Sequence, residues 1–284
     1  MKKIFTIIVT IALSQVLFAQ QKPAYVLYNA TGKKIGFDKM IAVLRLQDIV
    51  LFGELHNNPI AHWLQLEVTK ELGAKRQLVM GAEMFEQDNQ HALDLYLRNQ
   101  LSAKGLDSMA RLWKNYSTDY APLVDYAKDN HIAFAASNIP RRYASLVSHG
   151  GFEALDTLTA SQKEWIAPLP ILYDSSLPGY KKMIEMMPGH GAANFPKAQA
   201  IKDATMAHFI LKYFEPGKLF IHFNGAYHSE NNEGIVWYLK KQQPSLKYSI
   251  ITTVLQKDLS KLLKENKGKA DFIICVDEDM TTTY

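Results

Sequence analysis

One cysteine, Cys275, stands in 284 residues, so no disulfide can form within the chain, whatever its redox compartment. It lies in the apolar run Phe272-Ile-Ile-Cys-Val276, where a thiol behaves as a small buried hydrophobe and not as a reactive group. Charge of one sign is equally scarce. The formal net charge is +4, and loss of residues 1–19 would remove Lys2 and Lys3 and leave +2. No basic arm compensates, so nucleic acid is not expected as a partner. The Cys-x-x-Cys-His signature of covalently attached c-type haem is missing. So are internal repeats and low-complexity tracts, which sets aside solenoids and tethers.

The N-terminus has the form of a secretory signal. Lys2 and Lys3 precede an apolar stretch from Ile4 to Phe18 that ends at Leu17-Phe18-Ala19-Gln20, with cleavage expected after Ala19. The stretch is too short for a membrane span, which needs about 20 apolar residues. No cysteine is near the cleavage point, so the expectation is an exported protein, periplasmic or secreted, and not a lipoprotein. The remaining chain, residues 20–284, is long enough for one large α/β domain.

Short apolar runs alternate with amphipathic stretches along that chain, which predicts a mainly parallel sheet flanked by helices. Strands are expected near residues 25–28, 49–52, 77–82, 132–137, 219–223, 248–254 and 272–276. A hairpin is expected to pair 25–28 with 34–37. Helices are expected from an Asp38 cap to Leu46, from Pro59 at a first helical position, over 88–98 and 120–130, from an Asn194 cap to Tyr213, over 233–241 and over 259–264. The alternation breaks between Arg142 and Phe195, where Gly150-Gly151, Pro168, Pro170, Pro178 and Pro188-Gly189 separate short helical pieces. This segment reads as a helical insertion over about 143–195, forming a lid.

The chemistry collects where strands end. Ile49-Val-Leu-Phe-Gly-Glu-Leu-His56 runs from a buried strand through Gly53, read as a sharp turn, into a carboxylate and an imidazole at i, i+2, which project to one side of an extended segment. Other runs end in Glu83, in Asn138 followed by Arg141 and Arg142, and in Asn224-Gly-Ala-Tyr-His228. Ligands of open α/β sheets bind outside the carboxyl ends of the strands. Glu54, His56, Glu83 and His228 are therefore the candidates for metal ligation or acid/base catalysis; the alternative is a hydrogen-bonded network that only stiffens the strand ends. His62, Asn138, Arg141, Asp203 and Asn224 are candidate lining residues. His62 can support His56 or lie on the surface. Asp203 can orient Arg141 or a histidine, or form a plain surface ion pair.

Five ordered segments carry a resemblance: Gly53-Glu-Leu-His-Asn-Asn-Pro-Ile-Ala-His62, Glu83-Met-Phe-Glu-Gln-Asp-Asn-Gln90, Asn138-Ile-Pro-Arg141, Lys202-Asp-Ala-Thr-Met-Ala207 and Asn224-Gly-Ala-Tyr-His228. Together they resemble the ChaN family of haem-binding, iron-regulated proteins, within a wider superfamily that includes Tiki-type metalloproteases and erythromycin esterases. The resemblance implies haem as cofactor, a homodimer, a role in haem and iron uptake, and an outer-membrane haem or iron receptor as partner. It implies a tyrosine ligand to haem. The methionine-rich lid segment from Tyr180 to His190 offers Tyr180 first and His190 second, although a tyrosine there also suits plain packing. The alternative reading is a metal-dependent hydrolase built on Glu54, His56, Glu83 and His228.

Overall fold

The computed structural model describes residues 22–186 and 192–284; the signal-like segment, the Ala19 cleavage point and His190 lie outside the described residues. Seven strands form one sheet: β1 (Tyr25–Asn29), β2 (Ile49–Glu54), β3 (Leu78–Glu86), β4 (Phe134–Asn138), β5 (Leu219–Gly225), β6 (Tyr248–Gln256) and β7 (Phe272–Asp277), in the order β1-β7-β6-β2-β5-β3-β4. All pairings are parallel except that of β1 with β7. The chain winds outward from β2 and β5 in both directions, through β3 and β4 on one side and through β6 and β7 on the other.

The helices are α1 (Phe37–Leu44), α2 (Pro59–Gly73), α3 (Gln90–Leu97), α4 (Ala103–Met109), α5 (Ala121–Asp129), α6 (Arg141–Gly150), α7 (Ala160–Lys163), α8 (Pro178–Met186), α9 (Phe195–Tyr213) and α10 (Ile235–Gln242). They cover both faces of the sheet, which is why β2, β5 and β7 are buried along their whole length and read as continuous apolar runs instead of alternating ones. Val50 and Phe52 face the core that Leu64 and Val68 of α2 complete. Ile49 and Leu51 face the opposite one, with Met206 and Ile210 of α9 and Val236 of α10. Among the described residues no helix is long and apolar enough to cross a membrane.

The insertion has its own small core, in which Ile139, Tyr143, Val147, Leu155 and Ile166 pack on Ile201 of α9. It also touches the strand ends. The Tyr227 hydroxyl donates to the Gly179 carbonyl at 2.7 Å, and the Gly179 N–H donates to Glu233 Oε2 at 2.7 Å. The start of α8 is thereby tied to the loop that follows β5.

Several local expectations are corrected. No helix forms over 259–264, because side chains capture the backbone first. Asp258 accepts from the Ser260 N–H and hydroxyl, and Gln256 accepts from the Leu263 N–H while donating to the carbonyls of Asp258 and Lys261. Only a 3-10 turn, Lys264–Asn266, remains. The hairpin shrinks to one bridge between Tyr28 and Lys34, since β1 pairs with β7 instead. Asn194 holds the cap position of α9 without a side-chain capping bond, and Gly36, not Asp38, holds that of α1. Gly53 lies within β2 and makes no turn. A Cβ there would stand 2.9 Å from the Ala226 Cα, so the glycine is needed for close approach of the loop after β5.

Candidate functional site

Strands β2, β5 and β3 are neighbours at the centre of the sheet, so their carboxyl ends deliver Glu54 and His56, Gly225 and His228, and Glu83 to one place. This is the point from which the chain winds both ways, where open α/β sheets hold ligands.

Glu54 is 1% exposed, and both of its oxygens are filled. Oε1 accepts from the Tyr120 hydroxyl at 2.7 Å and faces His56 Nδ1 at 2.8 Å; Oε2 accepts from Gln65 Nε2 at 2.5 Å. A carboxylate at Nδ1 fixes that nitrogen as the N–H, so that in the neutral ring Nε2 is the bare one. His56 Nε2 has no hydrogen-bond partner among the described residues, and the side chain is 38% exposed. The imidazole lies against Gly225, where a Cβ would come 2.8 Å from Cε1 and 2.9 Å from Nε2. Trp113 packs edge-on against it at 4.9 Å between ring centroids.

His62 is buried behind this pair. Its Nε2 meets the His56 carbonyl at 3.1 Å and Asp119 Oδ2 at 3.4 Å, and its Nδ1 meets Gln65 Oε1 at 3.1 Å and Glu54 Oε2 at 3.4 Å. It supports His56 through the backbone and Glu54 both directly and through Gln65. Asn115 Nδ2 donates to the same His56 carbonyl at 3.0 Å and to Asp119 Oδ2 at 2.6 Å.

The second half of the site is a buried charge chain. His228 Nε2 lies 3.2 Å from Glu83 Oε1, and Nδ1 lies 2.5 Å from Asp203 Oδ1 with the Gln199 amide at 2.8 Å. Glu83 Oε2 accepts from the Gly225 N–H at 2.7 Å. Burial opposes ionisation of His228, but Glu83 and Asp203 outweigh it and raise its pKa to about 10. Burial likewise opposes the Glu83 carboxylate, yet His228, His56 and the Gly225 N–H hold its pKa far below the usual range. For Asp203 burial wins over His228, and its pKa is raised. Burial lowers His56, while the Glu54 hydrogen bond and the charges of Glu83 and Glu54 leave it above the ordinary histidine value. His222, beneath the site on β5, is pushed down to about 4 by burial and stays neutral.

The remaining candidates divide. Asn138 Nδ2 donates to the Glu83 carbonyl at 3.0 Å, and its Oδ1 is buried without a partner among the described residues. Asn224 is wholly buried; it bonds Ser229 Oγ at 3.0 Å and the Gly225 carbonyl at 2.9 Å, so it shapes the loop and does not line a cavity. Asp203 pairs with His228, not with an arginine. Arg141 is exposed and does not point inward as expected. Arg142 is the engaged arginine, bonded to Asp88 Oδ2 at 2.7 Å and lying over Tyr143. Tyr180 is 4% exposed and stacked on Tyr173 at 5.4 Å. Burial raises its pKa strongly, so this phenol stays neutral and covered and does not present itself as a surface haem ligand.

The four proposed metal ligands do not fit a metal as a set. Glu54 is consumed by Tyr120, Gln65 and His56, and both His228 nitrogens face carboxylates. Among the described residues no group of three or more His, Cys, Asp or Glu side chains is arranged to hold an ion.

Tyr120, Gln65, Asp119, Asn115, Gln199 and Trp113 were not anticipated from the sequence. Gln65 had a signal, as a polar residue one turn after His62 on the buried side of α2. Asp119 and Tyr120 come from a π-helical turn, Tyr116–Tyr120, of the kind that recurs at functional sites; nothing in the local sequence announces it.

The glycine at 225 gives a direct check. Its backbone conformation, φ −57° and ψ 139°, suits any residue, so Gly225→Ala adds only volume against His56. The variant is expected to stay folded while the His56 ring resonances shift and its Nε2 is displaced; unchanged His56 resonances in an NMR spectrum would show that the imidazole does not rest there.

A family model described as haem-binding uptake, Tiki superfamily, ChaN matches residues 40–239. The fold is similar to that of a solved structure described as cofacial haem binding to ChaN of Campylobacter jejuni, at 18% identity, covering 89% of this chain and 97% of that one with a TM-score of 0.68. An erythromycin esterase mutant in its open conformation is similar at 10% identity, covering 90% and 99% with a TM-score of 0.52. Protein RETICULATA-RELATED 5, chloroplastic, of Arabidopsis thaliana is 24% identical over 250 residues, which cover 79% of this chain and 33% of that protein. The chain thus spans about a third of the length of that relative. The match over residues 40–239 takes in both halves of the strand-end site, and it shows that the chain belongs to the ChaN family of haem-binding uptake proteins in the Tiki superfamily.

Proposed function

We propose that this chain is an exported haem-binding protein that serves haem and iron uptake outside the cytoplasm. One observation carries the reading: in a chain of this family, among the described residues, a single imidazole stands at the mouth of the strand-end site with its Nε2 unpartnered and its other nitrogen pinned by a buried carboxylate. The donor set fits haem, since a neutral imidazole nitrogen is a common axial ligand and a carboxylate on the far nitrogen strengthens it. His56 would supply the nitrogen, Glu54 would hold the ring, and haem would be the cargo. The apolar segment before Gln20 supports export, and the family supports a homodimer and delivery to or from an outer-membrane receptor. Single-domain organisation over residues 20–284, with the helical insertion as lid, belongs to the same reading.

A second reading is favoured by the same Glu54–His56 pair. A histidine with a carboxylate on Nδ1 and a bare, solvent-reaching Nε2 can take a proton from water. It would make the site an acid/base hydrolase, with no metal held by Glu54 and His228.

The two readings separate in protein isolated from its native extracytoplasmic fraction. The first expects a Soret band after haem-replete growth and a mature N-terminus at Gln20 or within a residue or two. Intact Met1 would contradict export. Ester hydrolysis lost in His56→Ala, with no Soret band, would favour the second.

A further inference from the structure

We propose that a lysine-rich face at the β1 edge of the sheet is a docking surface for an anionic phospholipid membrane. This surface lies beyond the haem reading and does not depend on it. Two segments build it: the turn 29–34 after β1, and the segment 257–269 in the connection from β6 to β7. Together they carry seven lysines against two carboxylates, a net of +5, while the whole chain carries +4. The excess positive charge of the molecule is therefore gathered on this one face. The two segments are fastened to each other. The Gly268 N–H donates to the Ala30 carbonyl at 2.9 Å, and the Ala30 N–H donates to the Asp271 carbonyl at 3.1 Å. The Lys267 side chain lies over Gly32, where a Cβ would stand 2.7 Å from its Cε. The Tyr28 hydroxyl donates to the Leu259 carbonyl at 2.6 Å, and Leu259 and Leu262 are anchored in the core, so the segment keeps one shape although it forms no helix.

The charge on this face is uncompensated. Lys33, Lys34, Lys257, Lys261, Lys264 and Lys267 are exposed and make no ion pair among the described residues. Nearby carboxylates are turned elsewhere: Asp271 accepts from the Ser249 hydroxyl at 3.1 Å and the Ile250 N–H at 2.8 Å, and Asp277 faces Lys22 at 3.4 Å. Lysines so placed are each attracted to an anionic lipid surface within a Debye length. Two features favour lipid over another polyanion. Leu263 stands 47% exposed between Lys261 and Lys264, an apolar group with cations at its sides, which suits the boundary between headgroups and acyl chains. A cavity of about 600 Å³ opens in the same face, lined in part by Lys22, Lys34, Lys257 and Ser260, with room for a phosphate headgroup. The two segments hold no arginine and no aromatic ring, the groups with which proteins grip and stack on nucleic acid.

Co-sedimentation of the mature chain, residues 20–284, with lipid vesicles tests the surface. The vesicles are phosphatidylcholine alone or an equimolar mixture with phosphatidylglycerol. Binding is expected to the mixed vesicles only, and is expected to be lost at about 1 M salt. Lys261→Gln, Lys264→Gln and Lys267→Gln combined are expected to weaken it at least about tenfold, with an unchanged circular dichroism spectrum. Lys104→Gln, Lys128→Gln and Lys212→Gln combined, on α4, α5 and α9, remove the same charge elsewhere and leave binding within about twofold. Leu263→Ser is expected to weaken binding about threefold and to leave its salt dependence as it was. Equal binding by the wild type and the first triple variant would overturn the proposal. So would equal losses in the two triple variants, unchanged binding in Leu263→Ser, or a wild-type chain that binds neither vesicle. Inorganic phosphate that displaces the chain from the vesicles, where chloride at equal ionic strength does not, would assign the cavity to free phosphate and overturn the membrane surface.

Discussion

Replacing His228 with alanine is expected to destabilise the protein by about 3–5 kcal/mol. The reason is what remains. Glu83 is 5% exposed and Asp203 is 1% exposed, and both face the imidazolium that the substitution deletes. Two buried carboxylates would then confront each other with only Gln199 and the Gly225 N–H as partners. One carboxylate must take up a proton or the loop after β5 must open. In a chain of this size the loss corresponds to a fall in Tm on the order of 10 °C. Chemical denaturation followed by circular dichroism measures it, and a loss under about 1 kcal/mol would mean that the chain of charges adds little.

The same group sets a pH signature with a definite sign. The folded pKa of His228, about 10, exceeds the ordinary value of 6.5, so the folded state holds a proton that the unfolded state has released between those two values. Stabilisation from the pair is complete below about 6.5, declines as the pH rises, and is gone above about 10. On the acid side Glu83 works in the opposite sense. Its folded pKa lies below its ordinary value of 4.5, so its contribution is present above that value and is lost as the pH falls through the folded one. Both describe one interaction and count once. Wild-type stability is therefore expected to slope downward from neutral pH toward pH 10, and His228→Ala to lack that slope.

The second large effect concerns His56. Because Nδ1 is held by Glu54 and Nε2 has no partner among the described residues, His56→Ala removes the one accessible imidazole nitrogen of the site among those residues and leaves the buried chain of His228, Glu83 and Asp203 in place. Haemin affinity is expected to drop at least about tenfold, with a shift in the Soret band and little change in unfolding free energy. Tyr180→Phe is expected to leave the spectrum alone, since that phenol is buried against Tyr173. A haemin titration identical in wild type and His56→Ala would place the ligand elsewhere.

Much of this could be read from the chain, for identifiable reasons. The centre of the sheet was legible because helices on both faces demand unbroken apolar runs, and Ile49 to Phe52 and Leu219 to Phe223 supply them. Glu54, His56, Glu83 and His228 were legible because each follows such a run directly. Their partners were not. Tyr120 reaches Glu54 from 66 residues away, and Asp203 reaches His228 from the middle of a helix whose spacing alone does not say which face meets the strand ends. Arg141 and Arg142 show the same limit: adjacent arginines at the start of α6 are alike in sequence, and only the position of Asp88 decides that Arg142 is engaged. Residues 259–264 failed as a helix because Gln256 and Asp258 bind the backbone locally, a competition that apolar periodicity does not register.

The central claim is that the unpartnered Nε2 of His56 makes the strand-end site a haem site. Equilibrium titration of the mature chain with ferric haemin at micromolar concentration, read at the Soret band for wild type and His56→Ala side by side, tests it most directly. Saturable binding by the wild type, weakened and spectrally altered in the variant, is the predicted result. A wild-type chain that shows no saturable Soret change would contradict it.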